Sequence, residues 1–488
     1  MHDSAGQRRL VGLDLGIATA HTAQVLDPNT RVLAKRRVHP RAESFAGLET
    51  AALADAAPGT RLEVVIEPTG PAWLPVAVWF TARGHTVYRV SSAKAADLRR
   101  FLSRHAKSNT IDAHTLARLP LVDPGGLAPV ALPDTPARAG LDRHVRAATR
   151  LTREIGERKT RIIELARQVM PEIGAVLTQK LARADLAVLE HYGDPRTLVA
   201  AGEQLDTVIA EASAGRGDPG DKADAFRAVA GSACELYGDN AAIAFDVLAD
   251  EIATEIRLLR ATETERDRHA AAREQDYRHV DPDQLARSLP GLGAIGAPML
   301  VSVLGDPDRF ARGSQVKSFT GLTPRASETG DTDRKGQPMS KAGNQALRTQ
   351  LTRSADTARR HDPQLAAIYY EQMVHKGAVH TKAICVVAAK LAERGWRVLQ
   401  RGRAYQLCDV DGTEVTTEQA KQIIAERYTV PDHIRAQRRS KKSSGKAPQT
   451  GSTRPKRSTR RPSHHPGSPS AAADVKPGRA RRLTAPTA

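Results

Sequence analysis

The chain has 488 residues, of which 40% are hydrophobic and 4% aromatic, and its formal net charge is +18. This length suggests about two to four domains, and the hydrophobic content is ample for packed cores. No uncharged apolar run reaches about 18 residues and the first residues lack a signal peptide's apolar stretch, so neither a membrane span nor secretion is expected. The spacings of Cys234, Cys385 and Cys408 exclude a zinc site and a disulfide framework, which favours a reducing cytosol.

The first part of the chain alternates between predicted strands and helices. The first predicted strand ends at Asp14, and four more cover residues 21–26, 31–38, 62–66 and 86–90. The predicted helices cover residues 72–83, 92–104 and 111–119. A hairpin followed by β-α-β-α is the element order of a ribonuclease-H-like domain, in which helices flank a mixed sheet.

Three acidic residues lie where these elements end or begin. Asp14 closes the apolar run LVGLD, Glu67 closes VVIE, and Asp112 opens the helical segment IDAHTLA. Carboxylates in such positions can hold two Mg²⁺ ions, which activate water and stabilise the leaving oxygen of a phosphodiester. Asp14 alone also fits the Asp-x-Gly turn of actin-like ATPases, but the chain lacks the later glycine-rich phosphate loops that those proteins need.

Residues 141–170 carry a heptad pattern of apolar side chains with polar interruptions at Thr152 and Lys159. Its positions are Leu141, Val145, Ala148, Thr152, Ile155, Lys159, Ile162, Ala166 and Val169. A second stripe begins at Ile252, Ile256 and Leu259. The two stripes predict either an antiparallel stalk within one chain or a seam between two chains, and the sequence leaves both open.

The C-terminal part is predicted to be mostly helical. Residues 289–304, which begin LPGLG, have the form of a helix-hairpin-helix, whose free amides can grip a backbone phosphate. Helices are expected near residues 340–360, 379–394 and 417–427, and residues 398–407 and 414–417 are expected to pair as a hairpin around Asp411 and Gly412.

The last segment, residues 435–488, holds most of the chain's net charge. It contains 15 Lys and Arg residues against the single acid Asp474. Because it is rich in Pro, Ser and Gly, it cannot bury enough apolar surface to fold alone, and we expect a disordered basic tail. Such a tail binds polyanions through counterion release, although it can also serve only as a solubilising appendage.

Two groups of motifs resemble one known family. Residues 65–73 (VIEPTGPAW) and 106–113 (AKSNTIDA) are similar to the second motif and the paired third and fourth motifs of DEDD-type insertion-sequence transposases. These are the RuvC-like, bridge-RNA-guided recombinases of the insertion-sequence one-ten family. The C-terminal half also resembles this family, in LPGLG at 289–293, GDPDRF at 305–310, FTGLTPR at 319–325 and the stretch 327–344. The resemblance covers residues 9–170 and 285–395.

This resemblance implies a site for two Mg²⁺ ions formed by Asp14, Glu67, Asn109 and Asp112. The family usually has Asp where this chain has Asn109. An amide oxygen can coordinate Mg²⁺ but brings no negative charge, so the metal affinity should be lower. Asn109 is therefore either a working variant ligand or the sign of an impaired enzyme, and the otherwise intact motif favours the first.

The family also implies a serine nucleophile that forms a covalent link to a DNA phosphate. Residues 325–336 (RASETGDTDRKG) supply hydroxyls and cations together, as such a step requires. The family's serine usually stands directly before the glycine, where this chain has Thr329; we prefer Ser327 over Thr329, with Ser340 third. The alternative is that these hydroxyls only make local backbone bonds. The candidate phosphate contacts are Lys107, Arg325, Arg334, Lys335 and Lys341.

The prediction from the sequence is a DNA transposase that cleaves and rejoins strands to mobilise an insertion sequence. Its expected fold is α/β plus α, with a RuvC-like domain at 9–125, a helical coiled-coil region at 138–283, a C-terminal serine transposase domain at 285–430 and the tail at 435–488. The resemblance implies donor and target DNA, a guide (bridge) RNA, a homo-oligomer (dimer or tetramer), and a bacterial cytoplasmic location at the nucleoid. The rivals are a Holliday-junction resolvase-like nuclease that uses metal-activated water and a catalytically silent nucleic-acid-binding protein.

Overall fold

The computed structural model describes most of the chain up to residue 438. The described residues are 8–67, 69–102, 108–178, 180–214, 218–238, 242–325, 337–341 and 343–438, with the backbone alone at 328–329 and 332–333. Lys107, Ser327, Arg334 and Lys335 lie outside the described residues, and so does the predicted tail from residue 439 onwards.

The N-terminal region is built on one mixed sheet of five strands. The strands are β1 (Arg8–Asp14), β2 (His21–Leu26), β3 (Val32–Val38), β4 (Arg61–Ile66) and β5 (Thr86–Arg89). Their order is β3-β2-β1-β4-β5, with β1 antiparallel to β2, β2 antiparallel to β3, and β1, β4 and β5 mutually parallel. The predicted mixed α/β architecture is therefore confirmed for this region.

Helices cover both faces of this sheet. They are α1 (Ala42–Leu53), α2 (Trp73–Ala82), α3 (Ser92–Leu102) and α4 (Asn109–Val122). On one face, Phe45 of α1 and Phe80 of α2 pack with Leu13. On the opposite face, Leu116 of α4 packs with Val65, and we call this the α4 face. Central parallel strands buried on both sides read as continuous apolar runs, as β1 and β4 do. Helix α1 was not among the sequence predictions.

Gly12 brings α4 directly onto β1. A Cβ atom at this position would lie 2.0 Å from the Ala113 carbonyl oxygen and 2.5 Å from the Ala117 amide nitrogen. Both neighbours are backbone atoms of α4, which cannot yield as a flexible side chain would. The missing side chain therefore sets how closely the start of α4 approaches the end of β1.

Two long helices, α5 (Pro136–Val169) and α10 (Phe245–Val280), pack against each other in antiparallel orientation. Near one end, Arg161 contacts Glu251 at 3.1 Å, and near the other, His144 lies 3.8 Å from Asp276. The apolar heptad positions of α5 are buried, whereas Thr152 is exposed. Of the two alternatives that the sequence left open, the described chain has the pairing within one molecule. Helices α6 (Arg183–His191), α7 (Pro195–Ala200), α8 (Gln204–Ser213) and α9 (Pro219–Tyr237) complete this region.

The C-terminal region is a helical core that includes one end of the α5–α10 pair. Its helices are α11 (Gly296–Leu304), α12 (Gly313–Thr320), α13 (Gln345–Ala358), α14 (Pro363–Tyr370), α15 (His380–Arg401), α16 (Thr417–Arg427) and α17 (Asp432–Gln437). Two-residue strands β6 (Glu328–Thr329) and β7 (Thr332–Asp333) lie between α12 and α13. The buried Trp396 belongs to the same core as Leu141 of α5 and Tyr277 of α10.

One predicted element in this region is wrong. The expected strand at 398–407 begins inside α15, which continues to Arg401 because Trp396 and Val398 lie on its buried face. A short apolar run does not by itself distinguish a strand from a buried helix. The turn at Asp411 and Gly412 is confirmed, since the Asp409 amide donates to the Thr413 carbonyl at 2.8 Å.

The predicted helix-hairpin-helix has a mixed outcome. Helix α11 follows the glycine-rich turn, but a single 3₁₀ turn, Ala286–Ser288, stands before it. Gly291 has φ +79°, and a Cβ there would lie 2.3 Å from the Ser354 carbonyl oxygen, so this glycine allows close contact with α13. Phosphate binding at this turn stays a prediction. Among the described residues, no helix combines the length and the apolar character needed to cross a membrane.

Candidate active site

Asp14 is the last residue of β1 and Glu67 directly follows the adjacent parallel strand β4, and both lie on the same face of the sheet. Leu13 of β1 is paired with Ile66 of β4, so each acid comes directly after a paired residue. Alternation along a strand places Asp14 on the side of Gly12, and Glu67 on the side of Val65. Both of those residues contact α4 or its core, and both acids are half-buried. The α4 face therefore carries both predicted carboxylates at one end of the sheet.

The first turn of α4 brings Asn109 and Asp112 to this region. Ser108 caps the helix, because its hydroxyl accepts a hydrogen bond from the Ile111 amide at 3.2 Å. Asn109 is exposed, whereas Asp112 is half-buried in the first turn, where the helix dipole favours negative charge.

Gln24 of β2 connects this turn to the sheet through hydrogen bonds. Its Nε2 donates to the Thr110 carbonyl at 2.7 Å, and its Oε1 is 3.1 Å from Nδ1 of His114. Burial, followed by the charges of Arg118 and Lys35, lowers the pKa of His114, which favours a neutral ring. Gln24 was not among the predicted site residues; its only sequence signal is an amide side chain within a predicted strand, and the structure shows it buried and hydrogen-bonded.

Arg99 of α3 is a second residue that the sequence analysis missed. Its Nη1 lies 2.9 Å from Oδ1 of Asp112, and the two side chains are only 24% and 15% exposed. The carboxylate of Asp112 is therefore neutralised by a guanidinium. Basic residues are common in the last turn of a helix, so no sequence signal distinguishes this one.

The donor atoms suit a hard divalent cation, but they are not gathered around one point. Mg²⁺ is a hard cation that binds oxygen ligands, and both carboxylates and side-chain amides supply them. Within the described ranges, no group of three or more Asp, Glu, His or Cys side chains is close enough to hold a metal ion. Arg99 contacts only Oδ1 of Asp112, so the carboxylate has a second oxygen to offer an ion. The chemistry of these residues therefore fits Mg²⁺.

The predicted hydroxyl segment belongs to a hairpin that we call the arm, residues 323–340. At its base, the Arg325 amide donates to the Pro338 carbonyl at 3.0 Å and the Ser340 amide donates to the Thr323 carbonyl at 2.8 Å. Farther out, Thr329 of β6 pairs with Thr332 of β7. The described part of the arm is therefore antiparallel at its base and again at β6 and β7, whereas Ser327 lies outside the described residues.

The base of the arm is packed on the helical core. Nη1 of Arg348 donates to the Lys341 carbonyl at 3.2 Å, and Lys341 itself has φ +55°. A Cβ at Gly343 would lie 2.4 Å from the Phe319 carbonyl oxygen, so the chain passes very close to α12. Arg325 and Lys341 are exposed at this base. The structure thus places two of the predicted phosphate contacts together, in a region whose core is separate from that of the sheet.

A mixed sheet with carboxylates at adjacent strand ends, facing a helix that carries a third, is a suitable scaffold for metal-assisted chemistry on phosphodiesters. Residues 11–171 match the model of the DEDD transposase of IS110, and residues 283–370 match the model described as transposase IS116/IS110/IS902 family. The chain belongs to this family of insertion-sequence transposases and is a DNA transposase. Membership implies DNA binding and dependence on a divalent metal. No individual curated protein matches the chain.

Proposed function

We propose that this transposase cuts and rejoins DNA strands through a site made of two parts. In the first part, Asp14, Glu67, Asn109 and Asp112 hold Mg²⁺; in the second, a hydroxyl of the arm attacks the DNA backbone. The observation that carries this proposal is the common placement of Asp14 and Glu67 on the α4 face, beside the first turn of α4.

The protein's own contribution to the first part is positioning. When bound, divalent cations would activate an attacking oxygen and stabilise the charge on the leaving oxygen. Asp14 and Glu67 extend from hydrogen-bonded strands, so their backbones are fixed relative to each other. Gln24 fixes the turn that carries Asn109 and Asp112. Asn109 supplies an oxygen without charge, and we interpret it as a working ligand of lower affinity.

In the second part, a hydroxyl oxygen forms a bond to a DNA phosphorus. The phosphorus–oxygen bond to the neighbouring nucleotide breaks, and that nucleotide leaves with a free hydroxyl after taking up a proton. The hydroxyl of the protein gives its own proton to a base. Exposed Arg325 and Lys341 support this role because cations stabilise the charge of the transition state. We prefer Ser327 to Thr329 as nucleophile, since a primary hydroxyl is less hindered.

We further propose a guide RNA and a homo-oligomer, both on the strength of the family resemblance. In a dimer or tetramer, the sheet of one protomer would act with the arm of another. The separate cores of the sheet and the arm are compatible with such an exchange. Lys107, Arg334, Lys335 and the basic tail are proposed to contact nucleic acid by charge alone.

Covalent capture of DNA tests the proposal. The full-length protein is incubated with Mg²⁺, RNA transcribed from the element's non-coding end, and labelled DNA that carries the element's end. A DNA-linked protein band should form, and mass spectrometry of the digested band should identify the attached residue. Of Ser327→Ala and Thr329→Ala, one should abolish the band while the other retains it, and Ser340→Ala should also retain it.

The same assay separates the rival functions. A resolvase-like nuclease would still cut DNA when Ser327 and Thr329 are both replaced by Ala, and would never give a linked band. A catalytically silent binding protein would retain DNA in a gel-shift assay but give no Mg²⁺-dependent product. Either result would overturn the two-part site.

A further inference from the structure

A cluster of positive charge lies at one edge of the sheet. Residues 28–42 contain five cations and no Asp or Glu. They are Arg31, Lys35, Arg36, Arg37 and Arg41. Since the tail from 435 to 488 holds +14 of the net +18, the rest of the chain carries only +4. This segment is therefore much more positive than its surroundings.

Strand β3 presents three of these cations at the free edge of the sheet. It lies at one end of the order β3-β2-β1-β4-β5, and Lys35, Arg36 and Arg37 are all exposed. Within the part of the chain that the structure describes, none of the three forms an ion pair with an acid. Charged residues also discourage edge-to-edge association of sheets, which is the simplest explanation for them. Under that explanation, all three cations have the same role.

The register of the strands distinguishes Lys35 and Arg37 from Arg36. Asp14 is paired with Thr22, and Thr22 is paired with Arg37, so the three form one row across β1, β2 and β3. Two residues farther along, on the same face, a second row contains Gly12, Gln24 and Lys35.

Both rows lie on the α4 face. Gly12 and Gln24 contact α4 directly, and side chains paired across strands point to the same face of a sheet. Arg36 instead is paired with Ala23, which belongs to the core beneath α1 and α2. Lys35 and Arg37 therefore share the face of the candidate carboxylates, and Arg36 points to the other face.

The geometry of these rows suits an extended polyanion. Neighbouring strands are about 4.8 Å apart, so the backbones of Asp14 and Arg37 are separated by about 10 Å. Nη1 of Arg37 lies 3.5 Å from the hydroxyl of Thr22, which turns the guanidinium along the row towards Asp14. Lys35 and Arg37 are about 6.8 Å apart along β3. Two cations at this spacing can contact successive phosphates of one strand while that strand reaches the sheet end at Asp14.

We propose that Lys35 and Arg37 bind the phosphate backbone of the DNA strand that is presented to the carboxylate site. This inference rests on the proposed function for the identity of that strand. DNA would then reach the site across the edge strand β3. Lys35 and Arg37 add affinity without reading the base sequence, because phosphate contacts position a duplex and carry no sequence information.

The test compares Lys35→Gln/Arg37→Gln with Arg36→Gln in the full-length protein. Binding to a fluorescein-labelled DNA duplex is measured by anisotropy at several NaCl concentrations in EDTA, so that no cleavage takes place. Each lost phosphate contact lowers the slope of log K against log salt by about 0.9, so the double variant should lose about 1.8. Arg36→Gln should leave the slope unchanged. Contacts of the tail are common to all three proteins and cancel in the difference.

Two results would overturn the inference. An unchanged slope in the double variant means that these cations do not contact DNA, and an equal loss per charge in Arg36→Gln means a general edge effect. A third arm uses RNA of the same sequence: a loss confined to RNA would assign the surface to RNA and also overturn the inference. Failure of the proposed function appears elsewhere, as undiminished cleavage by Asp14→Asn, and leaves these binding slopes unaffected.

Discussion

The two parts of the candidate site are built in opposite ways. Asp14 ends β1 and Glu67 directly follows β4, and the residues before them, Leu13 and Ile66, are fully buried and paired in register. Among the described residues, the arm contacts its core at its base, and its own strands β6 and β7 have two residues each. Side chains that share a metal ion must keep their spacing, and a central sheet provides this rigidity. A nucleophile must instead reach its target, so an arm is a suitable carrier.

This difference predicts separate failures for the two parts. Damage to the sheet should remove metal-dependent cleavage altogether, whereas damage to the arm should remove the covalent product and leave the metal site intact. Four substitutions examine the contrast.

The largest effect is expected for Asp14→Asn. Loss of this carboxylate should lower the rate of Mg²⁺-dependent DNA cleavage about a thousandfold, or about 4 kcal/mol of transition-state stabilisation. The rate is measured on labelled DNA at saturating Mg²⁺. The control is Asp55→Asn, an exposed position with φ +57° that Asn tolerates well. Equal rates for the two variants would remove Asp14 from the metal site.

Gly12→Ala should destabilise the sheet by about 3 kcal/mol, because its Cβ would meet the backbone of α4 at 2.0 Å. Hydrogen exchange of the β1 and β4 amides reports the stability of this sheet alone. Gly47→Ala in α1 is the matched control, since no atom lies within 4 Å of its Cβ, and it should stabilise by about 0.5–1 kcal/mol. If Gly12→Ala exchanged as slowly as Gly47→Ala, the close packing of α4 on β1 would be wrong.

Gly343→Ala is the counterpart at the base of the arm. Its Cβ would lie 2.4 Å from the Phe319 carbonyl oxygen and should push the arm away from α12. We expect about a tenfold loss of the covalent protein–DNA product, or about 1.4 kcal/mol, with the exchange of β1 and β4 unchanged. Loss of protection in the sheet as well would contradict the independence of the two parts.

The smallest effect is expected for Asn109→Asp. A charged ligand should lower the Mg²⁺ concentration for half-maximal activity by about threefold to tenfold. The control is Asn344→Asp, which changes the same residue type at the start of α13, where Asp caps equally well. A Mg²⁺ titration that is the same for Asn109→Asp and the wild type would show that Asn109 is not a ligand.

The sequence determined the features that depend on local patterns. Apolar runs and turns located all five strands of the sheet, and the positions of Asp14 and Glu67 at strand ends followed from the same runs. The heptad spacing located α5, and family motifs at both ends of the chain identified a transposase. These signals are local because the hydrophobic periodicity of a strand or helix is visible within a few residues of sequence.

Features that depend on contacts between distant segments could not be predicted and became visible in the folded chain. The ion pair of Arg99 with Asp112, the clamp of Gln24 on Thr110, and the row from Asp14 to Arg37 each join separate elements. A one-residue change of register would turn Arg36, instead of its neighbours, towards α4. Register and helix partners are set by the packing of the whole domain, so the sequence suggested the candidate acids but could not place Arg99, Lys35 or Arg37 relative to them.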